Sequence, residues 1–271
     1  DSKAVAKVLE SNFQPPYSQG ARGFSPGQMG GLPRLDSSTM RGEYPFVWVD
    51  FEDEKLPVKV SLEAFTPFIP LNTDDSGIPA AIIRYKVTNT TNTTVRVSIA
   101  GSLTNPRELV VNHRPQISPY EDKNEYREEG SIKGLCYLAP QLPPTHLKYG
   151  NMTLMTTAEQ VDIKNWFEGD RHAGSHDFWD DFSSDGRFER KPSIAPRLRN
   201  FWASASKSPP KVSSLLIHHD LRPGETKQFE FFLTWYFPNR VKNWDEDSYS
   251  GQSDPPIVKN YYSKLFADAW G

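Results

Sequence analysis

The sequence predicts an all-β protein, a large antiparallel two-sheet β-sandwich with long loops and one or two short helices. Three observations lead to this fold class. Short runs of alternating apolar and polar residues recur along the chain, as they do in strands that bury one face. Proline accounts for 23 of the 271 residues, which disfavours long helices and favours shaped loops between strands. A chain of this length also suits one large sandwich rather than two small ones.

The first part of the chain predicts an irregular arm. Gly, Pro and Ser are frequent between residues 12 and 43, and these residues are typical of loops. We therefore expect an ordered but irregular arm at residues 1–43 that packs on the sandwich. A sandwich core at 44–240 and a C-terminal segment at 241–271 complete the predicted organisation.

Strand patterns begin directly after the arm. Residues 46–51 are dense in Phe, Val and Trp, which favour strands. Residues 58–64 alternate between apolar and polar side chains, which indicates one buried face. Further short strands are predicted at 132–138 and 152–157, and the polar stretch at 105–130 is predicted to be a loop.

Two hairpins are predicted from the clearest alternation in the chain. Residues 83–99 contain two alternating runs that are separated by a polar connection at 89–93. Residues 213–236 contain a second pair of runs, joined by a turn at 222–225. We expect the two strands of each pair to hydrogen-bond to each other.

A short helix that packs on the sandwich is predicted at residues 176–182. Three aromatic residues there have the spacing i, i+1 and i+4, which places them on one face of a helix. They are Phe178, Trp179 and Phe182. We expect the rings to anchor the helix, with Asp180 and Asp181 turned toward solvent or an incoming partner.

Charge and hydropathy exclude several classes of protein. The formal net charge is -3, the isoelectric point is near 6.1 and the mean hydropathy is -0.63, so a general nucleic-acid-binding surface is not expected. No apolar run approaches the roughly 18 residues of a transmembrane segment. The chain starts at Asp1 without an initiator Met or an apolar leader, so we expect a processed or excised piece and leave its compartment open.

Candidate metal ligands and nucleophiles are few. Cys136 is the single cysteine, so an internal disulfide and a Cys-rich zinc site are excluded, and its apolar neighbours predict a buried small side chain. His172 and His176 lie among aspartates, but a glycine separates them, so a solvated loop is favoured over a metal site. His218 and His219 are adjacent in a strand and point to opposite faces, one of them into the core. No metal and no cofactor are predicted.

Longer motifs resemble a known family. In chain order they are Gly31-Leu32-Pro33-Arg34 and the stretches 42–46, 62–72, 75–81, 178–182 with 185–186, 233–240, 260–263 and 266–270. This series is similar to the N-terminal domain of glycoside hydrolase family 116, which includes β-glucosidases and the non-lysosomal bile-acid glucosylceramidase. The resemblance covers nearly the whole chain.

The resemblance implies a function for the parent protein. Family members are retaining exo-glycosidases, and an (α/α)6 barrel that follows the N-terminal sandwich carries their Glu nucleophile and Asp acid/base. We therefore expect no catalytic residue in this chain and no enzymatic activity of its own. The expected partners are the downstream catalytic domain of the same polypeptide and, for the parent enzyme, a β-glucoside or glycolipid substrate.

An interdomain contact is predicted near the end of the chain. The stretches 235–240 and 260–270 carry more aromatic rings than a solvated terminus needs, and such patches usually mark an interface. The residues predicted to contact the barrel are Trp235, Arg240, Tyr261, Tyr262, Phe266, Asp268 and Trp270. Two alternatives remain open, an independent carbohydrate-binding sandwich and a complete all-β enzyme with its own carboxylate pair.

Overall fold

The computed structural model describes residues 4–12, 31–106, 110–111, 114–115, 122–166, 173–188, 212–242 and 256–271. Most of these residues form strands, and the all-β prediction is confirmed. The strands are β1 (Val8–Ser11), β2 (Arg34–Leu35), β3 (Ser37–Glu43), β4 (Phe46–Glu52), β5 (Val58–Phe65), β6 (Ala80–Asn89), β7 (Val95–Thr104), β8 (Val110–Val111), β9 (Arg114–Pro115), β10 (Lys123–Glu129), β11 (Ile132–Leu138), β12 (Asn151–Thr156), β13 (Val161–Asn165), β14 (Val212–Leu221), β15 (Thr226–Tyr236), β16 (Asn239–Val241) and β17 (Ile257–Lys259). The helices are α1 (Thr73–Ser76), α2 (Ala173–Asp185) and a 3-10 helix at Tyr261–Lys264.

Two antiparallel sheets enclose the main core. One has eight strands in the order β10-β11-β12-β15-β6-β5-β4-β3, and the other has three in the order β13-β14-β7. Buried side chains from both sheets meet between them, which gives the predicted sandwich. They include Phe51, Val60, Val87, Ile99, Leu135, Tyr137, Leu154, Leu215, Ile217, Phe229 and Phe231. We call the core-facing side of the eight-stranded sheet its inner face and the opposite side its outer face.

Helix α2 covers the other side of the three-stranded sheet, and the predicted helix is confirmed. Leu216 points away from the main core and packs with Phe178 and Phe188 in a second buried cluster, against which Trp179 and Phe182 also pack. The helix is longer than the predicted 176–182 segment. The orientation predicted for Asp181 is wrong, because its carboxylate accepts a hydrogen bond from Lys164 Nζ at 2.8 Å. Asp180 is exposed, as expected.

Both predicted hairpins are wrong. Strand β6 pairs with β5 and β15, and its chain neighbour β7 pairs with β14 in the other sheet. Strands β14 and β15 are divided between the sheets in the same way. Alternation shows that a strand has a buried face, but strands that stack across a core and strands that pair side by side both have one.

Asn89 joins two of the connections that cross between the sheets, β6–β7 and β14–β15. Its backbone amide donates to Glu225 O at 2.9 Å, and its carbonyl accepts from Gly224 N at 3.1 Å. Its side-chain amide donates to Thr93 O at 2.8 Å and to Leu221 O at 3.0 Å. Asn89 is 1% exposed, so these bonds hold both connections in one buried network. We call this end of the eight-stranded sheet the closed end.

Two edge strands were not predicted. Residues 37–43 form β3 instead of part of an irregular arm, and residues 123–129 form β10 instead of a loop. Both strands lie at the outside of the eight-stranded sheet, and their sequences are polar. An exposed edge strand needs no alternating apolar face, and charged residues there protect against edge-to-edge pairing. The strands predicted near 132–138 and 152–157 are confirmed as β11 and β12.

The opposite end of the eight-stranded sheet has a different construction. The β3–β4 turn, the β5–β6 connection and the β11–β12 connection all lie there, as the antiparallel register requires. We call it the open end. Within the described residues, no helix is long and apolar enough to cross a membrane.

Candidate interdomain surface

The C-terminal segment, residues 256–271, begins beside β16 and ends on the outer face of the eight-stranded sheet. Ala269 is buried there between two strands. Its carbonyl accepts a short hydrogen bond from the Thr234 hydroxyl, and its amide donates to Asn151 Oδ1 at 3.0 Å. Thr234 and Asn151 lie near the open-end termini of β15 and β12. These bonds fix the segment to the outer face near the open end.

Tyr262 ties the start of this segment to the end of β15. Its hydroxyl donates to Phe237 O at 2.7 Å and accepts from Phe237 N at 3.2 Å. Its ring packs edge-on against Tyr236 with ring centres 6.1 Å apart. The backbone amide of Phe266 donates to Tyr262 O at 3.0 Å, which continues the turn. Tyr262 and Phe266 are half-buried against their own domain.

Tyr261, the neighbouring residue, is half exposed. The Asp74 carboxylate of helix α1 lies beside its hydroxyl, and the hydrogen bond and negative charge raise the pKa of Tyr261. The C-terminal segment therefore passes close to the β5–β6 connection, which contains α1.

Trp270 ends the segment over strand β10. Its indole Nε1 donates to Glu129 Oε2 at 3.1 Å, and the Arg127 guanidinium lies 4.6 Å from the ring centre. Asp268 Oδ1 accepts from the backbone amide of Trp270 at 2.7 Å and fixes the turn before it. Both side chains are half-buried, so each keeps surface for a further contact.

The structure separates two of the predicted contact residues from the others. The alternation of β15 places Trp235 on the inner face with Phe231, opposite Met152 of β12. Arg240 is exposed in β16, where it pairs with Val258. Tyr261, Tyr262, Phe266, Asp268 and Trp270 share the outer face or its open end.

Charged and aromatic side chains cross the outer face in one register row, which we call the charge row. The Arg41 guanidinium lies 4.3 Å from the ring centre of Trp48, and Trp48 Nε1 donates to Glu63 Oε2 at 3.0 Å. Arg84 contacts Glu63 at 3.5 Å and Glu230 at 2.5 Å. The hydrogen bond to Glu230 and both negative charges raise the pKa of Arg84. Each member of the row therefore has a partner on a neighbouring strand.

A group of apolar side chains projects from the open end. It comprises Tyr44 in the β3–β4 turn and Phe68, Ile69 and Leu71 in the β5–β6 connection, and all four are exposed. The rings of Tyr44 and Phe68 pack edge-to-face at 5.0 Å. The sequence reasoning did not select these residues as a site. The available signal was a run of large apolar residues between Pro67 and Pro70, where prolines disfavour a central strand.

The candidate chemical groups have structural roles or fall outside the described residues. Cys136 is buried, as predicted, and burial raises its pKa to about 11, which disfavours a nucleophilic thiolate. Burial and the charge of Arg187 lower the pKa of His218. His219 Nε2 lies 3.6 Å from Glu225 Oε1. His172 lies outside the described residues. Within the part of the chain that the structure describes, no three His, Cys, Asp or Glu side chains cluster as a metal site would require.

Comparison with models of protein families identifies the family of this sequence. A family model described as "beta-glucosidase 2, glycosyl-hydrolase family 116 N-term" matches residues 1–271. No curated protein is a significant match. Similar solved structures include a putative kojibiose phosphorylase from human microbiome, at 9% identity and a TM-score of 0.32 over 70% of this chain and 18% of that one. A TPR-domain containing protein from Parabacteroides distasonis is 11% identical, with a TM-score of 0.34 over 83% of this chain and 39% of that one.

Proposed function

The chain belongs to the family of N-terminal domains of glycosyl-hydrolase family 116, and from this premise we propose that it is the non-catalytic sandwich domain of a retaining β-glucosidase or glucosylceramidase-like enzyme. In this proposal the domain braces a catalytic (α/α)6 barrel on the same polypeptide and contributes to the rim of the active site. The family match over residues 1–271 carries the proposal. The parent enzyme's substrate is then a β-glucoside or a glycolipid.

The carboxylates of the outer face support a structural role. Retaining glycosidases need two carboxyl groups about 5–5.5 Å apart, with the scissile bond between them. Glu63 and Glu230 are the acidic residues that face each other across the charge row. The guanidinium of Arg84 contacts both and occupies the space between them. Because Arg84 pairs with both carboxylates, this pair is better suited to holding the sheet together.

The aromatic rings in the charge row and beside it also favour bracing over independent sugar binding. A stacking platform presents an uncovered ring face to the sugar. Arg41 covers Trp48 at 4.3 Å, and the Arg84 guanidinium lies 5.1 Å from the ring centre of Phe65. Phe46 stacks beside Trp48 with ring centres 5.5 Å apart. These rings already pack with side chains of their own sheet.

The proposal is tested with purified residues 1–271 and an aryl β-glucoside. We expect no turnover by this chain and turnover by the full-length enzyme at the same molar concentration. Turnover by residues 1–271 that is abolished in Glu63→Gln or Glu230→Gln would show a complete enzyme and overturn the proposal. Saturable binding of glucose, cellobiose or a glucosylceramide analogue by residues 1–271 would favour a carbohydrate-binding module instead.

A further inference from the structure

Leu71 has an unusual position in the β5–β6 connection. Its side chain is fully exposed, at 106% of the reference value, and its backbone φ is 67°. Non-glycine residues seldom adopt this left-handed conformation, because the Cβ approaches the following carbonyl oxygen. An apolar side chain that is held in a strained backbone and turned fully into solvent gains nothing from its own domain.

Hydrogen bonds fix the shape of this connection. The Ser76 hydroxyl accepts from Ile69 N and donates to Ile69 O, each at 2.9 Å. The backbone amide of Asn72 donates to Ile69 O at 3.0 Å. The side-chain oxygen Oδ1 of Asn72 caps helix α1 by accepting from Asp75 N at 3.1 Å. The loop therefore presents Leu71 from a preformed support, and little conformational entropy is lost when the side chain is buried.

Exposed apolar side chains are concentrated around this loop. Of the fourteen large apolar side chains that are exposed in the described residues, nine belong to the open end or the C-terminal segment. They are Tyr44, Phe46, Phe68, Ile69, Leu71, Leu147, Ile257, Tyr261 and Leu265. Such a concentration is typical of an interaction surface, whereas single exposed apolar residues are normal on any protein.

We propose that the open end, centred on Leu71, is a docking surface for the catalytic domain of the same polypeptide. This inference rests on the proposed function and extends it to residues outside the predicted contact set, namely Tyr44, Phe68, Ile69 and Leu71. Leu71 and Ile69 insert into an apolar recess of the catalytic domain. Tyr44, which packs on Phe68, forms the border of the contact.

The position of the C-terminal segment selects this occupant over a second copy of the chain. Tyr261 lies beside Asp74 of the same loop, and Ala269 is fixed to β15 and β12 near the open end. In an N-terminal domain the next domain is tethered through this segment, so its effective concentration at the open end reaches the millimolar range for a short linker. A small apolar surface then suffices for docking.

Photo-crosslinking in the full-length enzyme tests the inference. The photoreactive residue p-benzoylphenylalanine replaces Leu71 in one protein, Tyr261 in a second and Met40 in a third. Met40 is the matched control, because it is an exposed apolar residue on the edge strand β3. After irradiation, mass spectrometry identifies the attached peptides. We expect position 71 to attach to a peptide beyond residue 271 of the same molecule and position 40 not to do so.

The other outcomes separate the two proposals. An adduct at position 261 without one at position 71 overturns the docking surface and leaves the bracing function intact. No adduct from either position to the catalytic domain overturns both. If crosslinking at position 71 gives a product of twice the mass of the full-length chain, a second copy covers the surface, which overturns the inference.

A substitution gives an independent readout in the full-length enzyme. Leu71→Asp places a charge in the contact, and we expect cleavage between the two domains by a limiting amount of protease to become at least about tenfold faster. Met40→Asp should leave the cleavage rate unchanged. An unchanged rate in Leu71→Asp would overturn the docking surface.

Discussion

The two ends of the eight-stranded sheet terminate the same strands in opposite ways. At the closed end, Asn89 is buried and bonds to the β6–β7 and β14–β15 connections, and Leu221 is fully buried beside it. At the open end, polar atoms also hold the loop, but Phe68, Ile69 and Leu71 point outward. The closed end is completed by its own residues, whereas the open end keeps apolar surface that only another protein surface can bury.

The contrast has a simple physical origin. A connection between two sheets leaves backbone groups without ladder partners, and burying them requires hydrogen bonds. Asn89 supplies these at the closed end, so its apolar neighbours can be covered. In the β5–β6 connection, Ser76 and Asn72 bond to the backbone of Ile69, and the side chain of Leu71 takes no part in these bonds and stays in solvent.

The largest expected effect in this comparison comes from leucine truncation at the closed end. Leu221 has no exposed surface in the core between the sheets. Leu221→Ala should reduce the free energy of unfolding by about 2–5 kcal/mol, through lost burial and the cavity left behind. Urea denaturation of residues 1–271 at neutral pH measures it. A decrease in the free energy of unfolding below about 1 kcal/mol would mean that Leu221 is not tightly packed at the closed end.

The next largest loss of stability is expected when Asn89, which joins the two connections, is replaced. Asn89→Ala removes the donor to Thr93 O and Leu221 O in a buried site, and we expect a loss of about 2 kcal/mol. Asn72→Ala at the open end is the matched control, because it removes an exposed helix cap and an exposed hydrogen bond to Asp75, and it should cost about 0.5–1 kcal/mol. Equal losses in the two variants would contradict the difference between the ends.

Sequence patterns predicted the strands far better than their partners. Alternation predicted β5, and the density of strand-forming residues predicted β4. The same alternation assigned β6 to a hairpin with β7, since a strand's buried face does not reveal which sheet it joins. The edge strand β3 was missed because exposed strands need no apolar face.

The candidate surface was predicted only in part, for a related reason. Aromatic density pointed to Tyr262 and Trp270, which the structure places on the outer face. It also pointed to Trp235, which the strand alternation turns inward. Leu71 belongs to the family motif at 62–72, and nothing in its sequence context marks it as exposed. Its left-handed backbone and full exposure are visible only in three dimensions.

A smaller effect on stability is expected when the pH is lowered, because an exposed ion pair at the closed end then loses its charge on one side. Arg96 Nε donates to Asp220 Oδ1 at 2.9 Å, and this hydrogen bond and charge hold the pKa of Asp220 below its ordinary value of 3.8. Because the folded pKa is the lower one, the pair contributes stability above the unfolded pKa and loses it as pH falls through the folded pKa. Both side chains are more than half exposed, so the contribution is below about 1 kcal/mol.

Urea denaturation at several pH values checks this expectation. Asp220→Asn should be slightly less stable than the wild type at pH 7, and the difference should shrink as the pH is lowered to 2. Arg96→Gln should show the same trend, because it removes the other partner. A difference between wild type and Asp220→Asn that is constant from pH 7 to 2 would show that the ion pair does not contribute.

The smallest expected effect is the counterpart of the largest, leucine truncation at the open end. In residues 1–271, Leu71→Ala should change the free energy of unfolding by less than about 0.5 kcal/mol, because the side chain is fully exposed. The alanine keeps a Cβ, so the left-handed backbone stays as strained as before and no stabilisation is expected. Urea denaturation of Leu71→Ala and Leu221→Ala in parallel compares the same leucine-to-alanine truncation at the two ends. A loss above about 1 kcal/mol would show that Leu71 packs on its own domain, and the two ends would then be completed in the same way.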